Sequence, residues 1–146
     1  MTDSPLFKLP IDASEFMPHK SPMLLVDRII EFDDEEKSSV IEASVKHDNI
    51  FLNSEGNLEE TALIEIMAQA AAAQHGFNLA REEKKEEKGF IVGIRKFVVS
   101  RQVQAGDSLI VEVKLGPEIE SLSVVYCTVR RDTANIASAE LTVWHG

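Results

Sequence analysis

The sequence predicts an α+β fold in which a curved antiparallel β-sheet wraps around one long central α-helix. Three observations predict it. Residues 57–80 hold one long helical stretch that is apolar on nearly every side from Ala62 to Ala73, whereas a surface helix would be polar over half its circumference. Strand-like segments lie before this stretch, and four more follow it, separated by turn residues. A single apolar helix flanked in this way has to be covered by a sheet.

Taken in order, the chain opens with an irregular arm, and Ile11 to Phe16 can form one helical turn before Met17-Pro18. The segment PHKSPMLLVDRIIEFD begins at Pro18; two prolines fix its entry, and Met23 to Phe32 is rich in β-formers. Asp33 to Glu36 reads as a polar turn. Ser38 to Lys46 alternates Ile41, Ala43 and Val45 against Val40, Glu42 and Ser44, the pattern of a strand with one buried face. His47 to Gly56 is a loop. Asn57 then suits the first position of the helix, with Glu60 three residues on completing a capping box, and Glu59 and Glu60 suit the positive end of the helix dipole. The run REEKKEEK at 81–88 reads as a solvated helix end or a mobile loop. Strands are expected at Phe90–Arg101, Leu109–Leu115, Leu122–Arg130 and Ile136–Trp144, with turns at Gly106-Asp107, Gly116-Pro117 and Asp132–Asn135. The order β-β-α-β-β-β-β is that of the hotdog fold, here one domain over residues 1–146.

Composition narrows the function classes. The chain has 146 residues, 44% hydrophobic and 27% charged, with a formal net charge of −10. That balance argues against nucleic acid as the main partner. The longest apolar stretch is interrupted by Glu65 and Gln69, so no membrane span is expected. The N-terminus lacks the basic start and apolar run of a signal peptide. The protein is expected to be cytoplasmic. Cys127 is the single cysteine, which excludes a disulfide framework. Four scattered histidines without ligand spacing point away from a metal site, and no cofactor is expected.

The chemistry concentrates on the helix. Thr61, Glu65 and Gln69 follow one another four residues apart, so they stack on one narrow face. A carboxylate in the middle of an apolar helix is costly to bury unless it is paired or protonated. Glu65 therefore either faces a water-filled pocket and does chemistry there, or is a structural carboxylate bonded to backbone or to an arginine.

PHKSPMLLVDRIIEFD resembles the opening of the FabZ-type 3-hydroxyacyl-[acyl-carrier-protein] dehydratases, which begin PHR-x-P-F-L-L-V-D-R. IEIMAQAAAA resembles that family's LEAMAQ helix. GFIVGIRKFVVSRQVQAGDSLIVEV resembles its third strand and the turn beyond, with Ala105-Gly106-Asp107 in place of Pro-Gly-Asp. One departure stands out: the GHFPG turn that carries the family's catalytic histidine is replaced by NIFLNSEGN, which has no histidine. The same departure is found in the ApeP-like branch of hotdog dehydratases, linked to aryl polyene synthesis.

The resemblance implies dehydration of a 3-hydroxyacyl thioester held on acyl carrier protein, in fatty acid or aryl polyene-type synthesis. The family's helix acid carries over onto Glu65, whose apolar surroundings would raise its pKa and keep it a proton donor. The family's base carries over onto no residue. His19 in the PH-x-x-P motif is the candidate base; the alternative is that it only packs beside the helix. Gln69 corresponds to the glutamine that orders the carboxyl, and Gly93 to the glycine of the F-x-G-I strand, where ligand, backbone or the helix approaches closely. Both are candidate substrate-binding residues. His47 reads as a surface residue, His75 as a helix-end residue, His145 as part of the tail, and Cys127 as a buried small hydrophobe.

Hotdog domains pair their sheets edge to edge and line sites with residues of both subunits. A homodimer or higher even oligomer is therefore implied, or a heteromer with another hotdog protein. Lys20, Arg28, Arg95, Lys96 and Arg101 are candidates for docking the acidic carrier protein. The readings are a dehydratase with Glu65 as acid, a catalytically weak or inactive hotdog subunit that binds acyl groups or partners an active enzyme, and, third, a thioesterase on the same fold.

Overall fold

The computed structural model describes residues 7–84 and 89–145. The charged run at 81–88 is described as far as Lys84; residues 85–88, like 1–6 and Gly146, lie outside the described residues. The elements are β1 (Ile11–Asp12), a 3₁₀ turn (Ala13–Phe16), β2 (Arg28–Asp33), β3 (Ser38–Ser44), α1 (Glu60–Arg81), β4 (Gly89–Val99), β5 (Ser108–Ile119), β6 (Leu122–Arg131) and β7 (Ala134–His145). All strands belong to one seven-stranded sheet in the order β1-β2-β3-β5-β6-β7-β4, with every neighbouring pair antiparallel. This is the hotdog fold expected from the sequence. No helix among the described residues is long and apolar enough to cross a membrane.

Period-two alternation builds the inner face of the sheet. In register across six strands run Ile29, Ile41, Val111, Val129, Ala137 and Val99. All but Val99 are buried, and they meet the buried side of α1, formed by Leu63, Ile66, Met67, Ala70, Ala73 and Phe77. The alanines let the sheet approach the helix closely. At the far end of α1, Phe77 packs with Phe7, Phe16 and Phe32 at ring-centroid distances of 5.1–5.6 Å. Gly76 is required there: a Cβ at this position would lie 2.1 Å from the carbonyl oxygen of Phe16.

Three local expectations are corrected. Helix α1 begins at Glu60 rather than Asn57, and Glu59 precedes it with no side-chain cap. Residues 57 and 58 are claimed by the loop after β4: Asn57 bridges Gln104, and Leu58 N donates to Val103 O at 2.7 Å. Backbone held extended in this way cannot enter the helix. Secondly, Met23–Asp27 is irregular and β2 starts only at Arg28, because the preceding carbonyls and amides bond to the helix, as described below. Thirdly, Gly116-Pro117 is not a turn. A bulge between Leu115 and Glu118 absorbs the pair, and the strand continues to Ile119; Glu120, at φ 55°, makes the turn. A proline lacks the N–H a ladder needs, so a bulge accommodates it.

Strand β4 lies at the edge of the sheet and pairs only with β7. Phe90, Ile91, Val92, Ile94 and Val98 along it are all exposed. The sheet thus overhangs its own helix on this side and leaves an apolar edge strand uncovered.

Candidate active site

The site is built on the one stripe of α1 that the sheet does not bury. By helical periodicity Ile64, Glu65, Ala68, Ala71 and Ala72 share that side, and all five are half-exposed. Glu65 is therefore a lone carboxylate set in an apolar strip. Its side chain keeps 39% of its surface accessible, so it is less deeply sunk than the all-round apolar sequence suggested. No arginine holds it among the described residues.

Two partners surround it. Gln69, one turn on, donates from Nε2 to Glu65 Oε1 at 3.1 Å. His19 places Nε2 3.7 Å from the same oxygen. That separation is outside hydrogen-bond range, so the two groups lie side by side without bonding each other. His19 Nδ1 is buried with no hydrogen-bond partner among the described residues, so the nitrogen that faces Glu65 is the one available for proton transfer.

The placement of His19 follows from its loop. The Lys20 carbonyl accepts from Met23 N at 2.8 Å and Leu24 N at 3.0 Å, closing a tight turn around Pro22. Gln69 then stitches the turn to the helix. Its Oε1 accepts from Leu25 N at 2.7 Å, and its Nε2 donates to Met23 O at 2.7 Å. Gln69 is 1% exposed, and both of its amide hydrogens are spent, on Met23 O and Glu65. It fastens the Glu65 carboxylate to the His19 loop, and no N–H of its amide is left unengaged. Gln69 is singled out by its motif and its place one turn from Glu65; the backbone groups of Met23 and Leu25 carry no such signal, since nothing in a residue's type marks its main chain as a partner.

Gly93 is not brought to this pair. It sits on β4 opposite Thr142 beside a bulge, and a Cβ there would make ordinary contact with the Thr142 side chain at 3.6 Å. Thr142 alternates with buried Leu141, so this position faces the outer side of the sheet, away from α1. The other histidines also lie elsewhere. His47 is exposed and neighbours Gly106, while His75 and His145 approach each other at 5.0 Å between ring centroids. The Cys127 thiol is buried, and burial pushes its pKa up to about 12, which leaves it inert as a nucleophile at neutral pH.

Of the candidate docking residues, Arg28 is paired with Glu42 at 2.8 Å, a bond that raises its pKa, and Lys96 with Glu140 at 3.4 Å. Lys20, Arg95 and Arg101 are exposed and form no ion pair among the described residues. Arg101 also lines a cavity of about 270 Å³ with Leu58, Glu60, Leu63, Val99 and Val103. Glu60 and Leu63 lie roughly 140° and 160° around the helix from Glu65 itself, so the acid does not line this cavity.

A curved antiparallel sheet around a helix that bears a carboxylate, with a glutamine bonded to it and an imidazole beside it, defines a hotdog-fold protein with a carboxylate–imidazole pair on its helix. The chain belongs to the ApeP-like family, described as ApeP dehydratase, whose family model matches residues 11–146. It is 31% identical over 143 residues to a 3-hydroxyacyl-[acyl-carrier-protein] dehydratase FabZ from Xanthomonas euvesicatoria pv. vesicatoria, covering 93% of each chain. Its fold is similar to a chain of the dehydratase heterocomplex ApeI:P from Xenorhabdus doucetiae, with a TM-score of 0.84, 20% identity and coverage of 93% of this chain and 91% of that one. It is also similar to the E. coli PaaI protein from the phenylacetic acid degradation operon, with a TM-score of 0.62, 15% identity and coverage of 83% and 79%.

Proposed function

We propose that this protein removes water from a 3-hydroxyacyl thioester carried on acyl carrier protein, giving the trans-2-enoyl thioester, in fatty acid or aryl polyene-type synthesis. The observation that carries this reading is the His19–Glu65 pair at 3.7 Å on an otherwise apolar helix strip. His19 Nε2 takes the proton from C2. The C2–H electron pair forms the C2=C3 double bond as the C3–O bond breaks, and Glu65 protonates the departing hydroxyl to give water. The pair is then charged, and return of the proton from imidazolium to carboxylate resets it. Ile64, Ala68 and Ala72 offer the acyl tail an apolar bed beside the acid. Membership of a dehydratase family and the FabZ relative support the same reaction class.

A second reading has its own support. The loop from Asp48 to Glu59 contains no histidine, and the apolar edge of β4 suits a partner sheet. In that reading the chain is a weak or inactive hotdog subunit that pairs with an active dehydratase. Purified protein given 3-hydroxyacyl-carrier substrate and followed at the enoyl absorbance separates the two. Turnover by the protein alone supports the enzyme; turnover only after adding a second hotdog protein supports the subunit.

A further inference from the structure

The outer face of the sheet, turned away from α1, carries an apolar row that the dehydration chemistry does not use. Register pairs Ile119 with Leu122, Leu122 with Trp144, and Trp144 with Phe90. Paired residues share a face, so four large side chains stand side by side across β5, β6, β7 and β4. They keep between 41% and 72% of their surface exposed, and the Phe90 and Trp144 rings lie 6.0 Å apart. Single exposed apolar residues need no explanation, but a contiguous row marks a contact surface.

Further along the strands the same face drops and then rises. Val124 pairs with Thr142 and Thr142 with Gly93, a row of short side chains. Beyond it Lys114, Tyr126, Glu140 and Arg95 form a third row, tall and polar. The middle row is the floor of a trough with one apolar wall and one charged wall. Same-face rows four residues apart stand roughly 13 Å apart, and four strands span roughly 14 Å. At the β5 end Tyr126 closes the trough, since a Cβ on Gly116 would lie 2.5 Å from its ring. At the β4 end the floor is open: a Cβ on Gly93 would meet Thr142 alone, at 3.6 Å.

We infer that this trough docks an amphipathic α-helix of another protein. The helix lays its apolar stripe against Ile119, Leu122, Trp144 and Phe90 and turns an acidic flank to Arg95. Dimensions select a helix: its diameter of about 10–12 Å fits between the walls, and two to three turns cross the four strands. The footprint is far below the ~800 Å² per partner of a standard interface between folded proteins, so it suits one helix rather than a second sheet laid face to face. A second copy has no such helix to offer, because α1 is packed inside its own sheet. Charge selects the flank. On the polar wall Lys114 is held by Glu36 at 3.3 Å and Glu140 by Lys96 at 3.4 Å, while Arg95 forms no ion pair among the described residues. That leaves an excess positive charge beside the trough on a chain of net charge −10, and such a charge steers and orients an acidic partner. Helix-in-groove docking of this kind needs apolar anchors at helical spacing and nothing more. The inference stands apart from the dehydration reading.

Trp144 is the single tryptophan of the chain, so its emission reads the row directly. The probe is a tryptophan-free helical peptide of about five turns, with leucines at i, i+3, i+4 and i+7 and glutamates along one flank. Titrating it into the full-length protein should give a saturable blue shift. Arg95→Glu should weaken this peptide about tenfold and strengthen a lysine-flanked peptide with the same leucine stripe. Gly93→Leu raises the floor where a side chain has room, and it should abolish the shift while circular dichroism stays that of wild type. No saturable shift overturns the inference, as does equal affinity of wild type for the two peptides or unaltered binding by both variants. Trp144 emission that moves with protein concentration alone assigns the row to self-association and overturns it as well.

Discussion

Gln69 and Glu65 stand one helical turn apart, and the amide of the first donates to the carboxylate of the second at 3.1 Å while bonding the His19 loop with its remaining groups. The acid's orientation and the loop's position are therefore set by one side chain. Replacing Gln69 by Leu preserves volume but orphans Leu25 N and Met23 O. Each buried unpaired group costs about 1–3 kcal/mol, so chemical denaturation should show a loss of ~2–6 kcal/mol. Turnover should fall as well. Wild-type stability in this variant would mean that the three bonds are replaceable by water.

Glu65→Gln keeps the shape of the acid and removes its proton-donating function. Positioned acid–base groups contribute about 10²–10⁴-fold, and a decrease of that order is expected in the enoyl assay. Stability should move by less than about 0.5 kcal/mol, as for other partly exposed positions. Unchanged turnover would remove Glu65 from the reaction.

Gly76→Ala should be severely destabilising although it adds a single methyl. The new Cβ would lie 2.1 Å from the Phe16 carbonyl oxygen, which is backbone of the 3₁₀ turn. Overpacking costs typically about 1–3 kcal/mol, and the upper part of that range is expected here from thermal or denaturant melts. A melt indistinguishable from wild type would show that the turn moves freely away from the helix.

The buried Cys127 thiol gives a pH dependence with a defined sign. Burial raises its pKa from 9.0 to about 12 in the folded protein. Between those values the unfolded chain loses the proton and the folded chain keeps it, so folding binds more protons and stability falls as pH rises. Full stability from this group is present below pH 9, and the loss proceeds at up to about 1.4 kcal/mol per pH unit towards pH 12. The comparison is with Cys127→Ala, whose stability should decline less steeply. Parallel profiles for the two proteins would contradict the prediction.

The uncovered strand β4 should be an assembly surface. Val92, 60% exposed on that edge strand, is suited to a charge test, since lysines on edge strands oppose sheet-to-sheet pairing. Val92→Lys is expected to shift the protein to a smaller species in light scattering at unchanged helix and strand content. An identical mass distribution would place the interface elsewhere.

The long helix, the antiparallel strands and the position of Glu65 on that helix were legible because each rests on residue periodicity or on a motif. Alternation in Leu109–Leu115 and the apolar run from Ala62 to Ala73 are properties of side chains, and side chains are what a sequence records. The errors fall where main-chain partners decide. Asn57 has the chemistry of a helix cap, yet its backbone is committed to Gln104. Gly116-Pro117 has turn chemistry, yet a bulge lets the ladder pass. Met23–Leu25 has β-forming residues, yet Gln69 takes their hydrogen bonds. For the site, His19 was nameable from the PH-x-x-P motif, but its approach to Glu65 depends on that same long-range stitching, with 44 and 46 residues separating the bonded groups. Gly93 was singled out through the strand motif, and the fold turns it to the opposite side of the sheet from the helix.

The overhang of β4 also bears on how the chain survives its own synthesis. A protomer released alone carries a sticky ladder of unpaired amides and carbonyls flanked by Phe90, Ile91, Val92 and Ile94, open to whichever strand arrives first. Covering that ladder with a second sheet should raise the soluble yield, and a substitution that keeps the edge from being covered should send more of the protein into inclusion bodies.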